Sequence, residues 1–122
     1  MNAEDEYETV TVMEFSRDGR DALKYWKKIF ASNRTPMPPA LLTPVNRAIR
    51  GKRLSADELA PIAVYAQKIL DYPGADEGAL ILANVIIDDI RGVFDLHTAP
   101  GIGLIGIAER PDDQSLQKVV NH

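Results

Sequence analysis

Residues 76–109 read DEGALILANVIIDDIRGVFDLHTAPGIGLIGIAE, and the change of pattern inside this stretch decides the fold class. Asp76 and Glu77 place negative charge where a helix would start, and Gly92 stands where it would end. Between them Ala79 to Ile87 is apolar almost all round, interrupted by Asn84. That is the pattern of a central, buried helix running to about Arg91, in which Asn84 needs an internal hydrogen-bond partner. Periodicity alone also fits a buried strand; the length of the run and the caps at both ends select helix. After Gly92 the pattern changes. Val93 to Thr98 and Ile102 to Glu109 read as two strands, and the Ala99-Pro100-Gly101 loop between them suits an antiparallel hairpin.

Upstream, Tyr72-Pro73-Gly74 is a turn. Ser55 and Glu58 have capping-box spacing and start a helix that continues through Ile62, Tyr65, Ile69 and Leu70, with a kink or late start expected at Pro61. Thr43-Pro44 is read as the start of a short helix to Arg50, with Gly51 ending it and RTPMPP at 34–39 as the linker before it. Ser16 caps a helix to about Ser32, whose apolar stripe is Ala22, Leu23, Trp26, Ile29 and Phe30, with Asn33 at its end. Tyr7 to Phe15 alternates as a strand, with Tyr7, Thr9, Thr11, Met13 and Phe15 on one face. Residues 1–6 read as a flexible tail and 111–122 as a polar C-terminal tail with a short helix around Ser115 to Val120. The 7–110 region reads as a single domain. The expected architecture is α+β: a small antiparallel sheet, made of the N-terminal strand plus the C-terminal hairpin, packed on a layer of three to four helices.

The chain of 122 residues is 45% hydrophobic and 26% charged, enough for one core and too apolar for general disorder. It has no cysteine, which excludes disulfides, thiolate metal sites and cysteine nucleophiles and fits a reducing compartment. The acidic start MNAEDEYE is unlike a secretory signal, and the longest uncharged apolar run, Gly78 to Ile87, is half the length of a membrane helix. A cytoplasmic location is expected.

Charge is unevenly placed. Residues 1–16 carry five acids and no bases, residues 17–53 ten bases and two acids, and residues 54–122 four bases and eleven acids. Segregation of this kind points to an interacting surface of one sign, or to basic and acidic segments that face each other in the fold or in an oligomer. Arg47, Arg50, Lys52 and Arg53 form the densest basic cluster, which Lys27, Lys28 and Arg34 can join as a phosphate- or partner-binding patch. Asp76, Glu77, Asp88 and Asp89 are the acidic partner-binding candidates. Against nucleic acid stand the net charge of −4 and the lack of aromatics interleaved with the bases.

Three further motifs invite a chemical reading. Gly101, Gly103 and Gly106 match G-x-G-x-x-G, but Pro111 and the chain end leave no room for the helix and acid of a dinucleotide site; a strand with close neighbours is the simpler reading. Asp95 and His97 share a strand face without a third partner, and Asp88-Asp89 diverge on a helix, so solvated surfaces account for both pairs. Trp26 and Phe30 read as core, and Tyr25 as the exposed aromatic. No catalytic residue, metal site or cofactor is expected. The function expected is that of a small non-enzymatic protein-binding regulator or inhibitor acting through segregated charged surfaces, with acidic surfaces at both ends of the chain that dock on a basic partner. The alternatives are a nucleic-acid-binding regulator using the basic 47–53 patch and a homo-oligomeric structural protein.

Overall fold

The computed structural model describes residues 8–110 and 118–121. The chain runs β1 (Glu8–Met13), α1 (Arg17–Ser32), α2 (Pro39–Ile49), β2 (Leu54–Ser55), α3 (Ala56–Asp71), α4 (Glu77–Arg91), β3 (Phe94–Ala99), β4 (Gly103–Glu109) and β5 (Lys118–Asn121). It is an α+β fold of four helices and two small antiparallel sheets. One sheet has the order β2-β1-β5 and the other is the β3-β4 hairpin. The expectation of a single sheet holding both the N-terminal strand and the hairpin is therefore corrected. β1 takes its neighbours from β2, through Met13 opposite Leu54, and from β5, through Val10 opposite Val119. Both edges of β1 are thereby occupied, which leaves the hairpin to pair with itself. The two sheets still meet where the Thr11 hydroxyl donates to the Glu109 carboxylate at 2.5 Å.

Lys118–Asn121 is a strand, not the expected end of a short helix around 115–120. Its Val119-Val120 pair suits a pleated strand better than a helix. The remainder of that expectation, the flexible tail at 1–6, Tyr7 and His122 lie outside the described residues.

The helix caps formed where the sequence placed them. Ser16 accepts from the Gly19 amide at 3.0 Å and starts α1. Ser55 and Glu58 complete a reciprocal capping box on α3. Asp76 accepts from the Ala79 amide at 2.7 Å, and Gly92 closes α4. α2 departs from expectation: it begins at Pro39, not at Thr43-Pro44. Pro39 is the first helical residue, where a missing N–H is harmless. Pro44 and Pro61 each fall at the sixth position of their helices. The carbonyls they leave unpaired belong to Ala40 and Asp57, both exposed, so water can serve them. α3 accordingly runs from Ala56 without a late start.

The core joins Met13 and Phe15 from the β1 end, Leu23 and Trp26 from α1, Leu41 and Val45 from α2, Leu59 and Ile62 from α3, Ile86, Ile87 and Ile90 from α4, and Phe94 from β3. α3 lies centrally, against α2, α4 and β4. The expectation that α4 is buried all round is corrected. Ala83, Ile86, Ile87 and Ile90 are buried, whereas Ile81, Asn84 and Asp88, at helical spacing on the other side, are exposed. Asn84 faces solvent and needs no internal partner.

Candidate functional site

α1 presents two different flanks, one on each side of its buried stripe. At about 100° per residue, Lys27 and Lys24 turn to one side of Trp26, and Tyr25 and Ile29 to the other. The Lys27 ammonium donates to the Asn46 side chain at 2.8 Å, which places the basic flank beside α2. Lys27, Lys28, Arg50, Lys52 and Arg53 are all exposed, and among the described residues none forms an ion pair. Arg34, in a left-handed conformation at φ 55°, is exposed at the end of the same helix.

Arg47 has a different role. Its Nε lies 2.8 Å from Glu58 Oε2, and its Nη2 donates to the Arg53 carbonyl at 3.4 Å. The Nε–H is not aligned on any acceptor, so the Glu58 approach is a charge contact, not a directed hydrogen bond. Arg47 thus ties α2 to the start of α3 and to the loop between them. The structure brings Lys27 beside α2, leaves Arg50, Lys52 and Arg53 exposed after it with Glu14 close to Gly51, and assigns Arg47 to the scaffold.

The acidic candidates are not gathered. Asp76 and Asp88 sit at opposite ends of α4, about 18 Å apart at 1.5 Å per residue. Asp76 caps the helix. Asp89 Oδ2 accepts from the Ser16 amide at 2.9 Å and the Ser16 hydroxyl at 2.8 Å, bracing the end of α4 to the start of α1. Gly19 makes that brace possible, since a Cβ there would lie 2.2 Å from Asp89 Oδ2. Glu77 and Asp88 are exposed and far apart.

The remaining motifs resolve into structure. Asp95 pairs with Arg110, Oδ1 to Nε at 3.1 Å, while His97 is exposed. Gly101 and Gly103 have φ of 77° and 97°, which explains glycine at the hairpin turn and the first position of β4. Of the expected close neighbours, a Cβ at Gly103 would meet Asp71 Oδ2 at 3.6 Å, whereas among the described residues one at Gly101 or Gly106 would meet nothing within 4 Å. Among the described residues no helix follows β4, so the dinucleotide reading has no strand-to-helix turn there to rest on. Among the described residues no cluster of three or more His, Asp or Glu side chains is arranged for a metal, and no helix is long and apolar enough to cross a membrane.

The other flank of α1 is apolar and hollowed. Tyr25, Ile29 and Ile81 are exposed and line a groove of about 510 Å³ between α1 and the start of α4. Ile29, Asp76, Ala79 and Leu82 are shared with a second open hollow of about 450 Å³, walled also by Trp26, Phe30, Tyr65, Lys68 and Tyr72. The Tyr65 ring meets Trp26 edge-on, centroids 4.8 Å apart, and Phe30 at 5.7 Å, so three aromatic rings brace one another. Burial pushes the Tyr65 hydroxyl above its ordinary pKa and keeps it neutral. Trp26 is buried, yet its Nε1–H has no hydrogen-bond partner among the described residues. A buried donor left so costs roughly 1–3 kcal/mol.

The reading of Trp26 and Phe30 as core and of Tyr25 as exposed agrees with the structure, and what the sequence did not show is the hollow beside them. Its walls come from three helices and the 72–76 turn, and no local spacing encodes their convergence. The one available signal was the incomplete apolar stripe of α1, on which Ile29 falls at the margin. Comparison with family models, curated proteins and solved structures finds no match to this chain.

Proposed function

We propose that this chain is a small, non-enzymatic protein-binding module, a regulator or inhibitor acting in the cytoplasm, which docks an acidic partner on the basic side of α1 and α2. The observation that carries the reading is that Lys27, held beside α2 by Asn46, and Arg50, Lys52 and Arg53 at the end of α2 are each exposed and form no ion pairs among the described residues. Unpaired surface charge of one sign steers a complementary partner and sets its register. The acids support this sign of partner, because Asp76 and Asp89 are engaged within the fold and the others are dispersed.

The second reading, nucleic acid, draws on the two guanidinium groups and one ammonium packed into 50–53, which suit phosphate oxygens. The exposed aromatic Tyr25 lies on the opposite flank, where it cannot stack on a base held by these groups, and the net charge is −4. An acidic protein surface is therefore favoured.

The test is affinity capture from lysate of the source cells at low and high salt, with and without nuclease. Wild type is compared with a variant carrying Lys27→Gln, Arg50→Gln, Lys52→Gln and Arg53→Gln. A stoichiometric protein that survives nuclease, leaves at high salt and is not captured by the variant supports the proposal. Recovery of nucleic acid, or loss of all partners after nuclease, transfers the assignment to the second reading. A partner whose capture ignores both salt and the four substitutions overturns both.

A further inference from the structure

We infer that the exposed face formed by α1 and α4 binds a second copy of this chain, in a two-fold dimer whose α1 helices pack antiparallel on each other. Three of the six large apolar side chains exposed among the described residues, Tyr25, Ile29 and Ile81, lie together on this face. Scattered singly, such residues need no explanation; grouped, they mark an interaction surface. Ser16 at the start of α1 holds Asp89 at the end of α4, so the two helices run antiparallel. Equal rises per residue from that contact bring Tyr25 level with Leu80 and Ile81. Tyr25 and Ile81 accordingly border one groove.

The order of charge along the face selects the second copy. A two-fold interface has to be complementary to itself. An axis crossing both helices at right angles, at the level of Tyr25 and Ile81, sets each of these residues against its own copy. The same axis brings Lys28, one turn beyond Tyr25, beside Asp21 of the second copy, one turn before it; helical spacing puts both on the outer edge of α1. Lys28 is exposed and forms no ion pair among the described residues. Asp21 meets Lys24 at 3.9 Å with both side chains more than half exposed, a contact weak enough to leave it available. On α4, Glu77 comes beside Asn84 of the second copy, both exposed, where the amide donates to the carboxylate. In this register no carboxylate is set opposite another: Asp18 falls opposite Ser32, and Asp88 past the start of the second α4.

α1 has 16 residues and is about 24 Å long, so a face two helices wide covers roughly 500 Å² per copy. A total of about 1,000 Å² belongs with weak, transient interfaces, and a Kd of about 10–100 μM is expected. The basic residues at the end of α2 take no part, so this dimer stands or falls independently of the proposed docking surface.

The test is sedimentation equilibrium over a concentration series. Wild type should rise from the monomer mass to twice that mass. Tyr25→Asp places like charges on the axis and weakens the dimer by about tenfold or more. Asp21→Lys alone sets lysine against lysine, Lys28→Asp alone sets aspartate against aspartate, and each weakens it by about tenfold. Mixing these two variants makes every such pair opposite in charge, so the mixture dimerises with wild-type strength while neither component does so alone. All three side chains are exposed, and circular dichroism checks that each variant is folded. Wild type that stays monomeric to about 1 mM overturns the inference and leaves the face to a different protein. A dimer indifferent to Tyr25→Asp overturns it by placing the contact elsewhere. A mixture no tighter than its components overturns it by excluding the antiparallel pairing.

Discussion

The two flanks of α1 share one backbone and one buried stripe, yet they are built from opposite materials. Toward α2 the helix offers Lys27, followed along the chain by Arg50, Lys52 and Arg53, all solvated and without ion pairs among the described residues. Toward α4 it offers Tyr25, Ile29 and Phe30, continued by Ile81, Leu82 and Tyr65 around two hollows. The difference shows how a helix can carry two recognition chemistries at once: long-range steering on the side where charge stays in water, and short-range shape and dispersion where water leaves. The first responds steeply to salt, and the second only weakly, through Lys68 and Asp76 at its border.

Both flanks rest on the stripe between them, so the largest effect is expected there. Leu23 is fully buried. Leu23→Ala should cost about 2–5 kcal/mol, read from urea unfolding. A loss under about 1 kcal/mol would show that the stripe is not the common support of the two flanks.

Next is the brace at the start of α1. Asp89→Ala removes two hydrogen bonds to Ser16, with an expected loss of about 1–3 kcal/mol. Gly19→Ala should act through the same brace, since its Cβ would displace Asp89 Oδ2. The double variant should therefore lose less than the two single losses added. Strict additivity would mean that Gly19 matters for its packing on Phe15 and not for the brace.

Much of this framework was legible because it is local. Ser16, the Ser55–Glu58 box, Asp76 and Gly92 each announce a helix boundary within four residues, and each is found in place. The hairpin was legible for the same reason, with its pairing at Ala99 and Gly103. What escaped is non-local. Leu54–Ser55 is too short to read as a strand, and it exists because Met13 pairs with Leu54. Ile81 gives the same local signal as the buried isoleucines of α4, and only its position relative to α1 decides that it is exposed. The basic patch was visible as charge, although nothing in its spacing marked Arg47 as the residue that holds Glu58. The cavity, which depends on the relative placement of three helices, left no signature.

Smaller effects separate the flanks. Replacing Lys27, Arg50, Lys52 and Arg53 by Gln should change stability by no more than about 0.5 kcal/mol per position, as expected for exposed side chains. The same substitutions should reduce the salt dependence of partner binding. Ile81→Ser should be similarly mild in stability and leave that salt dependence unchanged. If Ile81→Ser altered the salt response, the flanks would be one site and not two.

The smallest expected effect reports the apolar flank alone. Burial raises the pKa of Tyr65 in the folded chain above the unfolded value of about 10. As pH rises through that value, the unfolded chain releases the phenolic proton first, so the unfolded state binds fewer protons than the native state. Stability then falls with pH. The contribution of the neutral phenol is fully present below the unfolded pKa and is lost as pH rises from there through the folded one. Tyr65→Phe lacks the titration and should lose stability less steeply than wild type across this alkaline window. Lysine deprotonation is common to both proteins and leaves the difference between them intact. Parallel stability curves would mean that the hydroxyl is as well solvated in the folded chain as in the unfolded one. The ring cluster would then end in water, not in the cavity wall, and the contrast between the flanks would be weaker on the side where it is drawn most sharply.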